Sequence, residues 1–347
     1  MHGSQYWSPC ASLIARSGTE EASMKVLILY NDVQSVDKGE AGDLVSAQGV
    51  AIAARAVEEA LKPSHEVVCL PVPFDPSEVL AAYDPREWVV FNLLEGLGSR
   101  SDLEAEAAAL LGRLGYRHTG SSPESIGLCL DKARTKTLLQ AAGIPTPDFQ
   151  VTDDPDAPVS VPLPAIVKPV AEDASLGIDD GAVVSTQDEL RARVGYLVSA
   201  YREPALVEEF VIGREFNIAL WGNGQPECLP LAEIDYSGID EPLRRICSYA
   251  AKWDPERDEY YLTPVECPAK VDDGLAERIR GIAVAAFEAT GCRGYARVDM
   301  RLRGRQPYVL EVNPNPDISP DAGFARAALA GGYPYPQMVE KILRLAA

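Results

Sequence analysis

Apolar and polar residues alternate along two neighbouring segments of the stretch "GYARVDMRLRGRQPYVLEVNPNP", residues 294–316. The apolar positions of the first segment are Ala296, Val298, Met300 and Leu302, and those of the second are Tyr308, Leu310 and Val312. Because successive side chains of a strand point to opposite faces, this alternation predicts two strands that each pack one face. The intervening "RGRQ" then forms the turn of a hairpin.

The opposite face of the predicted hairpin is polar. It carries Tyr295, Arg297, Asp299 and Arg301 on the first strand, and Glu311 and Asn313 on the second. One interpretation is the solvent-exposed face of an antiparallel sheet. Another is a metal site, because two carboxylates and an amide carbonyl are hard oxygen ligands of the kind that Mg²⁺ takes alongside water and phosphate oxygens. The second interpretation makes nucleotide chemistry the hypothesis to test elsewhere in the chain.

From Met24 onward the pattern alternates between strand and helix. The segment "KVLILY" is a continuous apolar run, which is typical of a parallel strand covered on both faces, and residues 44–61 have helical spacing. Further strands are predicted at residues 66–70 and 88–94, and a helix near residues 102–115. This order predicts an α/β domain.

The remainder of the chain predicts further strands and helices. Helices are predicted at residues 131–143, 187–199, 273–290 and 336–346, and strands at residues 165–169 and 205–211, in addition to the hairpin. We predict three α/β units, at residues 24–118, 119–212 and 213–347. Residues 1–23 have no long apolar core and make a poor secretory signal, so we expect a flexible extension there.

Length and composition are those of a globular protein. The 347 residues suffice for two or three domains, and 46% are hydrophobic and 24% charged. Acidic residues outnumber basic ones 52 to 32, and the net charge of -20 opposes general binding to nucleic acid or an anionic membrane. The 7 cysteines are scattered without a CxxC motif, which predicts a reduced cytoplasmic protein without structural zinc.

Six segments, taken in their order along the chain, carry a resemblance to a known family. They are residues 119–147, 164–178, 206–222, 249–253, 289–300 and 310–320. In this order they resemble the ATP-grasp enzymes, and specifically the D-alanine--D-alanine ligase group, from about Met24 to the C-terminus. The resemblance implies the ATP-grasp fold of three α/β domains, with ATP bound between the central and C-terminal domains.

The resemblance also implies roles for individual residues in ATP binding. Lys132 and Lys168 would contact the phosphates, and Glu208 would meet the adenine amino group. Val211 would offer its backbone to the adenine edge, and Glu215 would hold the ribose. These five residues form the expected nucleotide site.

The catalytic and metal-binding roles follow from the same resemblance. Lys252 would reach the γ-phosphate from a mobile loop, Ser175 would help cover the phosphates, and Arg297 would stabilise the oxyanion and acyl phosphate. Two Mg²⁺ ions, with Mn²⁺ as an alternative, would be held by three residues of the hairpin: Asp299, Glu311 and Asn313. Such a site performs ATP-dependent amide-bond formation, in which a carboxylate attacks the γ-phosphate and an amine then displaces phosphate.

The substrate-binding positions depart from the family pattern. Glu95 stands where the family has a histidine, and Asp317 stands where it has a glycine. The serine that binds the acceptor carboxylate in the family falls at Ala322, with Asp321 beside it, unless Ser319 takes over in a shifted register. Losing such a hydroxyl removes a charge-assisted hydrogen bond, so we expect an acceptor other than D-alanine.

Three alternatives stay open at this point. The chain could be a true D-alanine--D-alanine ligase of peptidoglycan synthesis, a nucleotide-binding regulator without turnover, or a ligase whose amine lies on a peptide. In each case we expect small-molecule or peptide partners, no nucleic acid and no membrane, and the resemblance suggests a cytoplasmic homodimer.

Overall fold

The computed structural model describes residues 22–33, 38–40, 43–97 and 100–346, without the side chains of residues 46–48. Most of the predicted N-terminal extension, residues 1–21, therefore lies outside the described residues. Within the described ranges no helix is both long and apolar enough to cross a membrane.

The first sheet consists of parallel strands. These strands are β1 (Lys25–Asn31), β2 (Glu66–Val72), β3 (Trp88–Leu93) and β4 (Arg117–His118), with helices α1 (Leu44–Leu61), α2 (Pro76–Leu80) and α3 (Glu104–Arg113) between them. The strand order is β2-β1-β3-β4. Every residue of β3 is buried, as expected of a parallel strand covered on both faces. The elements predicted in this part of the chain are thus confirmed.

The second sheet is antiparallel and follows two helices. The helices are α4 (Pro123–Leu130), α5 (Lys132–Ala141) and, later, α6 (Gln187–Tyr201), and the strands are β5 (Phe149–Thr152), β6 (Ala165–Pro169), β7 (Val183–Val184) and β8 (Ala205–Glu209). Their order is β5-β8-β6-β7. The Asp131 side chain accepts a hydrogen bond from the Arg134 amide at 3.0 Å, so it caps α5 and fixes where that helix begins.

The third sheet contains the predicted hairpin. Its strands are β9 (Glu215–Gly222), β10 (Glu227–Cys228), β11 (Ala232–Ile234), β12 (Val265–Glu266), β13 (Gly294–Arg303) and β14 (Gln306–Asn313). The helices of this part are α7 (Tyr249–Trp253), α8 (Asp258–Leu262), α9 (Asp273–Ala289), α10 (Gly323–Ala330) and α11 (Tyr335–Ala346). The strand order is β12-β11-β9-β13-β14, with β10 paired to β9. The predicted hairpin, long helix and terminal helix are confirmed.

The apolar face predicted for β14 is wrong at Tyr308 and Leu310. Asp299 pairs with Glu311 but Met300 pairs with Val309, so Leu310 is an extra residue in a β-bulge. The bulge shifts the alternation by one residue, and Val309 is buried in the core in place of Leu310. Leu310 instead lines a cavity.

The first sheet shares its core with the end of the chain. Val26 and Phe91 belong to the same buried cluster as Phe324 of α10 and Met338 of α11. The three sheets fall within the predicted ranges 24–118, 119–212 and 213–347. Division into domains at those boundaries stays a prediction, because this packing joins the first range to the third.

Candidate active site

A cavity of about 730 Å³ is lined by residues from all three sheets. Lys168 and Glu208 reach it from β6 and β8, while Asp299 and Glu311 reach it from β13 and β14. Every residue predicted for the site lines this cavity except Lys132. The fold therefore gathers at one place residues that are more than two hundred positions apart in the sequence, such as Glu95 and Asp321.

The oxygen-bearing residues of the hairpin converge in this cavity. Asp299 and Glu311 are directly opposite each other on β13 and β14. The Asn313 amide donates to Asp299 Oδ2 and to Glu311 Oε1, both at 3.2 Å, and Asn217 donates to Asp299 Oδ1 at 2.7 Å. Two facing carboxylates repel each other, and a half-turn of the Asn313 amide would add its oxygen to theirs. This donor set fits Mg²⁺.

Arg297 lies two residues before Asp299 on the same face of β13. Its guanidinium donates two hydrogen bonds of 2.8 Å to the two carboxylate oxygens of Asp299. With the Asn217 and Asn313 contacts, each Asp299 oxygen accepts two hydrogen bonds, so a cation at Asp299 would take the position on Oδ2 that the half-turn of the Asn313 amide frees. Arg297 also faces the cavity, where its positive charge is available to an anionic group.

Lysine side chains surround Glu311. Lys132 Nζ lies 3.9 Å from Glu311 Oε2 and donates to Asp173 Oδ1 at 3.0 Å. Lys132 is 3% exposed and lies behind the cavity lining, whereas Lys168 and Lys252 line the cavity. Burial alone would favour the neutral carboxyl, but the nearby cations hold the pKa of Glu311 well below its usual range. The site therefore combines an ionised acid with several cations.

Glu208 is buried between two lysines. Its Oε1 lies 3.4 Å from Lys168 Nζ, and its Oε2 pairs closely with Lys136 Nζ. Lys136 also donates to the Thr146 hydroxyl at 2.6 Å and is fully buried. Burial is the main cause that lowers the pKa of Lys136, to about 8, while Glu208 opposes that change. Each carboxylate oxygen of Glu208 thus has a lysine nitrogen beside it.

A second buried network holds Glu215. The Glu215 Oε2 atom accepts from Arg301 Nε at 2.7 Å and from the Tyr236 hydroxyl at 2.9 Å. Arg301 also donates to the Val211 carbonyl at 3.2 Å. One arginine thus connects Glu215 and Val211, for which the family resemblance implies contacts with the ribose and the adenine edge.

Two loops that cover the cavity are joined to each other. Ala174 and Ser175 both have left-handed backbone conformations, with φ of 52° and 62°. The Ser175 hydroxyl donates to the Cys247 carbonyl at 2.8 Å, and Trp253 Nε1 donates to the Ala174 carbonyl at 3.1 Å. Strained non-glycine residues of this kind persist where surrounding contacts fix them, often at ligand-binding loops. Trp253 thus connects the α7 region to the Ser175 loop.

The predicted substrate residues lie in a further part of the cavity. Glu95, Asp317 and Asp321 all line it. The Asp317 Oδ1 atom accepts from the Ser319 amide at 2.8 Å and from the Ser319 hydroxyl at 2.7 Å. The hydroxyl that could replace the family serine is therefore already bonded to an acid.

Four residues were not assigned a role from the sequence: Glu104, Asn315 and Tyr295, which line the cavity, and Lys136, which pairs with Glu208 behind it. Lys136 follows Lys132 by four positions, so helical spacing places both on one face of α5. Glu104 is in the first turn of α3, where an acid is common for its effect on the helix dipole. Asn315 donates to Glu104 Oε1 at 2.8 Å, a contact that only the fold creates.

Sequence comparison gives one family match and several relatives. The family described as "D-ala D-ala ligase C-terminus" matches residues 138–344. An uncharacterized protein, y4sG, of Sinorhizobium fredii is 37% identical over 266 residues, which is 74% of each chain. The D-alanine--D-alanine ligase of Desulforudis audaxviator is 33% identical over 243 residues, covering 68% of this chain and 75% of that protein.

Structure comparison agrees with the sequence matches. The structure of D-alanine--D-alanine ligase from Bacillus anthracis complexed with ATP has a TM-score of 0.72, covering 93% of this chain and 97% of that one. The ligase from Coxiella burnetii has a TM-score of 0.70, covering 94% of each chain. Their sequence identities to this chain are 22% and 20%, so these structures support a shared fold and no more specific conclusion. The predicted fold class, α/β with the architecture of these ligases, is confirmed.

Proposed function

Because the chain belongs to the D-alanine--D-alanine ligase family, we propose that it is an ATP-dependent carboxylate-amine ligase with an acceptor other than D-alanine. It would join its substrates through an acyl phosphate. The observation that supports this most is the single cavity in which cationic side chains face the carboxylates of Asp299 and Glu311. That combination suits phosphoryl transfer, where negative charge accumulates on the transferring oxygens.

The proposed reaction proceeds in two steps. A substrate carboxylate oxygen attacks the γ-phosphorus of ATP, the bond to the β-phosphate oxygen breaks, and ADP leaves. The substrate amine then attacks the acyl carbon, inorganic phosphate leaves with the original carboxylate oxygen, and the amine loses a proton. No covalent bond to the protein is required. Arg297 is placed to stabilise the oxyanion, and Lys252 to balance the charge of the phosphate.

The metal ligands in this proposal are Asp299, Glu311 and Asn313. Bound Mg²⁺ would neutralise phosphate charge and align the reacting oxygens. The chain itself contributes the facing carboxylates and the Asn217 hydrogen bond that orients Asp299. We propose two Mg²⁺ ions, with Mn²⁺ as a substitute.

The nucleotide would lie against β8 and the following loop. Glu208, which the two adjacent lysines hold in place at the cavity, would accept a hydrogen bond from the adenine amino group. The Val211 amide would meet the adenine edge and Glu215 the ribose, while Lys132 and Lys168 would contact the phosphates. The Ser175 loop would close over them.

The acceptor proposal rests on Asp317 and the residues around it. A D-alanine acceptor presents a carboxylate, which Asp317 would repel and which finds no serine hydroxyl at position 322. The Ser319 hydroxyl is bonded to Asp317 and is thereby held beside a negative charge. We therefore propose small-molecule substrates in which the acceptor lacks a free α-carboxylate or carries added positive charge.

An ADP-release assay with single amino acids, amines and their pairs tests this function. We expect ATP- and Mg²⁺-dependent turnover with some pair, and loss of turnover in Asp299→Asn, with Glu277→Gln on the exposed surface of α9 as the control. Efficient synthesis of D-alanyl-D-alanine as the sole product would overturn the acceptor proposal. ATP binding without turnover on any pair would overturn the ligase proposal. Sedimentation analysis would test the proposed homodimer.

A further inference from the structure

One part of the cavity holds acids without a basic partner. Glu95, Glu104 and Asp317 all line it, and among the described residues no lysine or arginine nitrogen lies within 4 Å of their carboxylates. Desolvation and the charges of Glu104 and Asp317 raise the pKa of Glu95 to about 8. Desolvation likewise raises the pKa of Glu104 to about 7. Near neutral pH these two carboxyls are therefore largely or partly protonated, and a cation bound beside them would favour their ionised forms.

Three other acids that line the cavity do have a basic partner. Glu208 has Lys136, Glu215 has Arg301 and Asp299 has Arg297. Enclosed carboxylates in proteins are normally paired in this way, because an unpaired buried charge is costly. The described residues provide no lysine or arginine partner for Glu95 and Glu104, which suggests that a cationic ligand binds beside them.

Tyr295 supplies an independent observation at the same place. Its side chain is only 1% exposed and lines the cavity, yet its hydroxyl has no hydrogen-bond partner among the described residues. After desolvation, the charges that most raise the pKa of Tyr295 are those of Glu104, Glu95 and Asp317. Buried tyrosine hydroxyls usually have a partner. The Tyr295 hydroxyl therefore lies on the same cavity as the three acids and has no protein partner there.

From these contacts we propose that Glu95, Glu104 and Asp317, together with the Tyr295 hydroxyl, bind the second positive charge of a dibasic substrate such as lysine or ornithine. The inference rests on the proposed ligase function. Tyr295 and Arg297 are two residues apart on one face of β13, a separation of about 7 Å. An extended lysine side chain spans a similar distance, so its ammonium reaches the acids while its reacting end lies near Arg297.

Lysine and norleucine make a matched pair of probes, because they differ chiefly in the charged end group. We expect kcat/KM for ADP release to favour lysine, as the better of its enantiomers, by about 10- to 100-fold over norleucine. In the Glu104→Gln/Asp317→Asn variant the ratio should fall toward one, whatever the absolute rate. Glu106→Gln, also on α3 but exposed and outside the cavity, should keep the ratio of the unmodified protein.

Equal use of lysine and norleucine by the unmodified protein would overturn the inference, as would a ratio that survives the double substitution. If no amino acid supports turnover, the ligase proposal fails separately. Calorimetric titration with lysine and with norleucine then still decides this site, because preferential lysine binding that the double substitution abolishes supports it. Equal or absent binding of the two probes refutes it.

Discussion

Asp299 and Glu311 are register partners on adjacent antiparallel strands, so two carboxylates occupy one cross-strand position of the sheet. Like charges in this arrangement destabilise a sheet. Arg297 pairs with Asp299, and Lys132 lies 3.9 Å from Glu311. A divalent cation between the carboxylates would relieve the remaining repulsion.

Magnesium with ADP should therefore stabilise the protein against heat. Binding at 100-fold above the Kd contributes about 2.7 kcal/mol to the free energy of unfolding. Asp299→Asn should lose most of the Mg²⁺-dependent part of the shift, whereas Glu277→Gln should retain it. Thermal unfolding with and without Mg²⁺ measures this, and equal shifts in all three proteins would contradict the assignment.

Lys136 should matter for both stability and ATP binding. Lys136→Met leaves Glu208 with only the more distant Lys168, and breaking a buried pair costs about 3 kcal/mol of unfolding free energy. The KM for ATP should rise more than kcat falls, because Glu208 is no longer held for adenine. Denaturant unfolding and ATP-dependent kinetics measure the two effects.

Two comparison variants test whether the loss of stability in Lys136→Met comes from breaking a buried ion pair or simply from removing a positive charge. Lys270→Met removes a lysine whose side chain is 83% exposed and should change the free energy of unfolding by about 0.5 kcal/mol or less. Adding Glu208→Gln to Lys136→Met should recover part of the lost stability, because no unpaired carboxylate remains. A double variant less stable than Lys136→Met alone would count against this pairing.

The Ser175 loop and the Lys252 segment should behave as one lid. Their hydrogen exchange should slow together when ADP and Mg²⁺ bind, because Trp253 and Ser175 join them by hydrogen bonds. Trp253→Phe removes the indole donor and should speed exchange in both loops. Mass spectrometry of exchange measures this, and a change confined to one loop would refute the coupling.

The charge of Asp317 should restrict D-alanine as an acceptor. Phosphate release with D-alanine should be slow, and Asp317→Gly should raise it about 10-fold or more, as expected when repulsion of a carboxylate is removed. Asp317→Asn keeps the size of the side chain without its charge and should raise it in the same direction. If only the glycine variant gains activity, space and not charge limits the pocket.

Much of the fold was predictable because its patterns are local. The continuous apolar run of β1 and the helical spacing of α1 depend only on neighbouring residues, and the hairpin depends on alternation with a turn. The bulge at Leu310 was not predictable, since it changes which residue faces the core without changing the composition. The core cluster that Phe91 shares with α10 and α11 is likewise formed by residues distant in sequence.

The residues of the site likewise divide into those that could be predicted from the sequence and those that could not. Asp299, Glu311 and Lys168 have types and positions that chemistry and family resemblance single out, and the structure brings them to one cavity. Lys136 and Glu104 have no such signal, because a lysine or a glutamate on a helix is ordinarily a solvated residue. Their roles arise from partners reached only through folding.

Transfer of a carboxylate oxygen to phosphate is the most direct test of the proposed ligase chemistry. Lysine and alanine labelled with ¹⁸O in the carboxylate would be supplied as donors with ATP, Mg²⁺ and unlabelled amines. The acyl-phosphate route predicts that the inorganic phosphate released contains one ¹⁸O atom for each amide bond formed. ADP release with phosphate that carries no ¹⁸O would contradict it.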